Sequence, residues 1–105
     1  TIGGNGSSNN NTYNGISIGS TRNHVFISGG KCGGQTEDLS GTGPQRYGIQ
    51  VNGNNHDHIV ILGVDVSGNT TGGIEWTTTG GNVNASNDNF IQFCPGYSTG
   101  QTSFP

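Results

Sequence analysis

The sequence predicts an all-β solenoid of about three coils, on three observations. A twelve-residue phrase occurs three times without a gap: Asn23-His24-Val25-Phe26-Ile27-Ser28-Gly29-Gly30-Lys31-Cys32-Gly33-Gly34, then Asp57-His58-Ile59-Val60-Ile61-Leu62-Gly63-Val64-Asp65-Val66-Ser67-Gly68, then Asn89-Phe90-Ile91-Gln92-Phe93-Cys94-Pro95-Gly96-Tyr97-Ser98-Thr99-Gly100. A shorter phrase precedes each one: Gly15-Ile16-Ser17-Ile18, Gly48-Ile49-Gln50-Val51 and Gly73-Ile74-Glu75-Trp76. A repeat of short strands with no helix buries its apolar face only against the next repeat, which is the solenoid condition. The third observation is placement. Only 27% of the 105 residues are hydrophobic and 21 are Gly, a composition that reads as disordered when the apolar residues are scattered. Here they fall in short alternating runs with Gly, Asn, Ser and Thr between them, the pattern of short strands joined by tight turns.

Along the chain, residues 1–12 read as an irregular entry or the end of a preceding coil. Coil one spans 13–34, coil two 47–69 and coil three 72–100, with a tail at 101–105. Two insertions break the rhythm, 35–46 between the first coils and 77–86 inside the third. Insertions in a solenoid emerge as side loops, often on a binding face. The start at Thr1 and the end at Phe104-Pro105, with no capping helix, lead to the expectation of a piece of a larger protein, or of ends covered by partner chains.

Period-two alternation assigns the faces. Columns Val25/Ile59/Ile91, Ile27/Ile61/Phe93, Ile16/Ile49/Ile74 and Ile18/Val51/Trp76 are expected inward, with Cys32 and Val66. Ser17/Gln50/Glu75 and Phe26/Val60/Gln92 are expected outward. Lys31 and Asp65, one coil apart on one face, are set to form a surface ion pair. Asn23/Asp57/Asn89 stands before the middle strand of each coil, where such side chains bond nearby backbone and tolerate left-handed turns. His24/His58/Phe90 reads as an aromatic stack at the strand starts, and Arg22/His56/Asp88 as an outward column of solvated turn residues.

Charge and cysteine content remove several classes. The net charge is −3 and Lys plus Arg total three, which argues against a nucleic-acid surface. No apolar run approaches the ~20 residues of a membrane span. The glycines at 3–6 form no phosphate loop, lacking the Lys and the following helix. The histidines lack zinc spacing, so neither a metal nor another cofactor is expected. Cys32 and Cys94 fall two coils apart, about 9.6 Å at ~4.8 Å per coil. That exceeds the ~7 Å limit for a bridge, so two free, buried thiols are expected.

At this point a resemblance enters. Gly-Ile-x-Val, a short turn, Asn/Asp-His-Ile-x-Ile and a Gly-ended strand, over roughly Tyr13 to Gly100, resemble the repeats of right-handed parallel β-helix proteins. That superfamily includes pectate lyases, polygalacturonases and bacteriophage tailspikes. The Asn-Thr-Asp, Asp-Asp, Gly-His-Gly and Arg-Ile-Lys elements of polygalacturonases and the Trp-Ile-Asp-His element of pectate lyases are absent. The polar style looks most like a tailspike or similar receptor-binding appendage. The resemblance therefore implies a homotrimer, on a virion appendage or otherwise extracellular, that binds and in the parent protein cleaves host polysaccharide. A lyase or glycoside hydrolase of the same superfamily, and a structural spacer or adhesin, are the alternatives.

Candidate chemistry follows from few residues. Glycoside hydrolysis needs two carboxylates about 5–9.5 Å apart. Asp57, Asp65 and Glu75 fall in three different columns, which leaves Glu75 with the loop acids Glu37 and Asp38 as the catalytic candidates. Sugar binding needs aromatic faces beside amides and hydroxyls, which selects Tyr47, Tyr97, Gln50 and Arg46, with Trp76 read as a core plug. Outward Phe26 and Val60 suggest a covered face, under a trimer partner or a packed loop such as 77–86.

Overall fold

The computed structural model describes residues 14–19, 22–33, 45–53, 56–77 and 89–97. Short alternating runs become six strands: β1 (Ile16–Ile18), β2 (Asn23–Ser28), β3 (Tyr47–Asn52), β4 (Asp57–Leu62), β5 (Gly72–Thr77) and β6 (Phe90–Gln92). No helix occurs among the described residues. The strands alternate between two parallel sheets, ordered β1-β3-β5 and β2-β4-β6. Each repeat thus gives one strand to each sheet, and its partners come from neighbouring repeats.

In the first sheet the register is the one the sequence predicts. Ile16 pairs with Ile49 and Ile49 with Ile74, while Ser17, Gln50 and Glu75 share the outward column. The inward members include Ile49, Val51 and Ile74 at 0% exposure, with Trp76 at 2% as the expected core plug. The preceding glycines, Gly15, Gly48 and Gly73, form a column of their own. Above it lies the segment that follows the second sheet. There Lys31 bridges Asp65, the Cys32 N–H donates to the Asp65 carbonyl (2.8 Å), and the Val66 N–H donates to the Pro95 carbonyl (2.8 Å). A Cβ on Gly48 would lie 2.3 Å from the Cys32 carbonyl oxygen and 2.8 Å from that of Gly73, so only glycine permits this approach.

In the second sheet the structure corrects the third repeat by two residues. Val25 pairs with Ile59 and Ile27 with Ile61 as expected, but Ile61 then pairs with Ile91 and Val60 with Phe90. The physical reason is Pro95. Gapless alignment sets it at the turn where Gly29 and Gly63 have φ of +66° and +65°, a conformation closed to proline, whose ring locks φ near −65°. The shift puts Phe93 there instead, at φ +55° and 79% exposed, so Phe93 is no core residue. A slip of two keeps every other inward residue inward. Ile91 is buried, and Phe90 leaves the histidine column to join Phe26 and Val60. Gln92 and Cys94 move as well, Gln92 pairing with Leu62.

Asn89 accommodates the shorter strand. Its buried side chain accepts from the Ile59 N–H and donates to the His56 carbonyl, each at 2.9 Å, so an amide substitutes for the missing stretch of ladder. His56 is a second correction: it is 1% exposed, not a solvated turn residue. Its Nδ1 accepts from the Arg22 N–H (3.2 Å) and its Nε2 meets the Asn52 carbonyl (2.9 Å), which selects the Nε2-protonated tautomer. Its ring meets Trp76 edge-on at 6.0 Å. Gln45, read from sequence as side loop, is fully buried beside Cys32. Both cysteines are free and buried. Burial pushes the Cys32 thiol above its usual pKa, against the opposing hydrogen bond from Gln45. The Cys32 thiol donates to the Gly48 carbonyl at 3.0 Å.

Candidate functional site

The outward column of the first sheet carries a continuous polar arrangement. Alternation along β1, β3 and β5 projects Ser17, Gln50 and Glu75 side by side on successive strands. They form a chain of hydrogen bonds along the stack. Asn14 Nδ2 donates to Gln50 Oε1 (2.6 Å) and to Ser17 Oγ (3.3 Å). Asn52 Nδ2 also donates to Gln50 Oε1 (2.9 Å), and Gln50 Nε2 donates to the Glu75 carboxylate. Gln50 is the hinge of the ladder, accepting through its carbonyl and donating through its amide. Its orientation is fixed by neighbours on both sides.

Arg46 and Tyr47 close one end of this ladder. The Arg46 guanidinium lies over the Tyr47 ring, with Cζ 4.9 Å from the centroid. Burial pushes the Tyr47 phenol above its usual pKa of 10.0. Its hydrogen bond to Glu75 and the charge of that carboxylate add to the rise, and Arg46 opposes it. Four sequence-selected residues, Arg46, Tyr47, Gln50 and Glu75, are therefore brought together. Tyr47 differs in one respect: at 8% exposure, with Arg46 across it, its ring is covered and offers no open platform. Tyr97 stands apart, partly buried against the core after the Pro95-Gly96 turn. Glu37, Asp38 and the 77–86 insertion beyond Thr77 lie outside the described residues.

Chemically, the ladder presents amides, a hydroxyl, one carboxylate and one guanidinium along a flat strand surface. The described carboxylates lie on different elements: Glu75 on β5, Asp57 on β4 in the other sheet, and Asp65 in the bridge to Lys31. Asp65 has a structural task. Ser67 donates to it through Oγ (2.6 Å) and N–H (3.0 Å), and Lys31 Nζ lies 2.9 Å away. These bonds, those from Ser67 foremost, hold its carboxyl at about 2. The Lys31–Asp65 ion pair was legible in sequence. The contributions of Asn14 and Asn52 were not, and the only signal was their place beside the outward column. No group of three or more metal-binding side chains occurs among the described residues.

The exposed aromatic rings lie on the other sheet. Phe26 is 65% exposed and Phe90 39%, in one outward column with Val60 between them. His24 and His58 stack at 4.7 Å with ring planes 9° apart. Comparison of the chain with protein-family models, with curated proteins and with solved structures finds no match.

Proposed function

We propose that the chain is a segment of a right-handed parallel β-helix that binds a cell-surface polysaccharide, in the manner of a phage tailspike-like appendage. The observation that carries this reading is the Asn14–Gln50–Glu75 ladder, flanked by Arg46 and Tyr47. A repeating polymer suits a repeating surface: strand spacing of about 4.8 Å offers polar groups at regular steps along the stack. Two parallel sheets fed alternately by each repeat support the β-helix part of the reading. The resemblance of the repeats to tailspike-type proteins supports a virion or extracellular setting and a homotrimer as the assembled form.

The test is an array of bacterial surface polysaccharide fragments probed with the full chain. Binding by wild type, reduced at least tenfold by Gln50→Ala and by Glu75→Gln, is the expected result. Wild type that binds no fragment, or variants that bind like wild type, would refute the assignment.

A further inference from the structure

The second sheet carries left-handed backbone at residues that bear rings. Among the described residues three non-glycine residues have positive φ: His24 (+58°), His58 (+55°) and Phe93 (+55°). All three carry rings: His24 and His58 are the second residues of β2 and β4, and Phe93 directly follows β6. Left-handed backbone is costly for any residue with a Cβ. At the turn after the strand, the first two repeats avoid the cost with Gly29 and Gly63. The third repeat accepts it to hold a phenylalanine that is 79% exposed and so gains little from burial. Strain retained without compensating burial marks a side chain used outward.

What the face offers is consistent from edge to edge. Phe26, Val60 and Phe90 form its centre, the stacked imidazoles lie at one end and Phe93 at the other. No lysine or arginine occupies the outward positions of β2, β4 or β6; the half-exposed Asp57 carboxylate lies 2.9 Å from His58 Nδ1 at the imidazole end, and Gln92 and Ser28 supply hydrogen-bonding groups. The size selects the occupant. Three strands at ~4.8 Å and five residues at ~3.3 Å give a platform of about 10 by 16 Å. That is far below the ~800 Å² per partner of a stable protein interface, but it suits a few sugar rings.

We propose that this face is a stacking platform for uncharged sugar residues of a polysaccharide, with Phe93 as the anchoring ring at its edge. The apolar C–H faces of pyranose rings lie on Phe26, Phe90 and Phe93, where dispersion contacts replace water. This rests on the polysaccharide reading above and adds a second surface to it. The polar ladder and the ring face belong to different sheets, so each can be removed alone.

The experiment uses an array of neutral and acidic bacterial surface oligosaccharides, with wild type, Phe93→Gly, Phe26→Ser/Phe90→Ser and Gln50→Ala. Melting temperatures and sedimentation are measured on the same samples. Expected is binding of neutral oligosaccharides by wild type, and an affinity at least tenfold lower for Phe93→Gly and for the double variant. Phe93→Gly should melt at or above the wild-type temperature, since strain is relieved and almost no burial is lost. Retained binding in both phenylalanine variants, with loss in Gln50→Ala, overturns the platform and leaves the polar ladder standing. Wild type that binds only acidic oligosaccharides also overturns it. Wild type that binds none removes the polysaccharide reading and the platform together. Self-association that Phe26→Ser/Phe90→Ser abolishes would make the face a contact between copies of the chain, against the proposal.

Discussion

Gly48→Ala should be among the most damaging single-methyl changes in this chain. The added Cβ would stand 2.3 Å from the Cys32 carbonyl oxygen, where ordinary contact begins at 3.4 Å, so that oxygen must retreat by about 1.1 Å. It has little freedom to do so. Cys32 is tied through its N–H to Asp65, and its carbonyl accepts from Asn69 Nδ2 at 3.2 Å. The Gly73 oxygen at 2.8 Å and Asn69 Nδ2 at 2.9 Å block the other directions. Overpacking costs typically 1–3 kcal/mol where side chains can yield. Against fixed backbone on two sides, about 3 kcal/mol or more is expected, a large share of the 5–15 kcal/mol that holds a domain together. At ~4–8 °C per kcal/mol the melting temperature should fall by at least ~12 °C. The assay is thermal unfolding by circular dichroism, with Gly19→Ala as the control, since a Cβ there meets nothing within 4 Å. Gly19→Ala should stay within ~0.5 kcal/mol of wild type. Equal melting of the two variants would refute the close approach of the Cys32 segment to the glycine column.

Three further outcomes follow from named contacts. Asn89→Ala leaves the buried Ile59 N–H and His56 carbonyl without their side-chain partner; about 2–4 kcal/mol should be lost, with faster hydrogen exchange at Ile59. The Asp65 carboxyl is held at about 2, below its ordinary 3.8, so its contribution is present above pH ~3.8 and vanishes as pH falls toward 2. With that side chain 37% exposed, screening leaves less than ~1 kcal/mol, read as a steeper acid-side loss of melting temperature in wild type than in Asp65→Asn. The Tyr47 phenol is raised, so the neutral form is favoured by the fold and its stabilisation is lost as pH rises above 10.0; absorbance titration should show a late-ionising tyrosine that Tyr47→Phe removes.

Much of the scaffold is written in period-two alternation. Ile16, Ile49 and Ile74 name their own partners, and so do Val25 and Ile59, because burial on one face leaves no other register open. The third repeat departs by two residues from the gapless match of letters, because a backbone rule overrides that match. Pro95 cannot stand where Gly29 and Gly63 turn, and that conflict is visible in the sequence itself. Burial of His56 and Gln45 was not visible, since both are polar letters beside turns whose partners come from other repeats. The site divides the same way. The Ser17/Gln50/Glu75 column follows from alternation, whereas the cover that Arg46 places over Tyr47 depends on side-chain conformation. The exposed ring of Phe93 emerges only after the register is corrected.

The most direct test of polysaccharide binding by the polar ladder is amide and side-chain chemical-shift mapping of the full chain by nuclear magnetic resonance. The chain is titrated with oligosaccharides cut from bacterial surface polysaccharide. Saturable shifts in the side-chain amides of Gln50, Asn14 and Asn52 and in the backbone of Arg46, Tyr47 and Glu75 are predicted. No saturable shift in these groups, at ligand concentrations that perturb other parts of the chain, would contradict it.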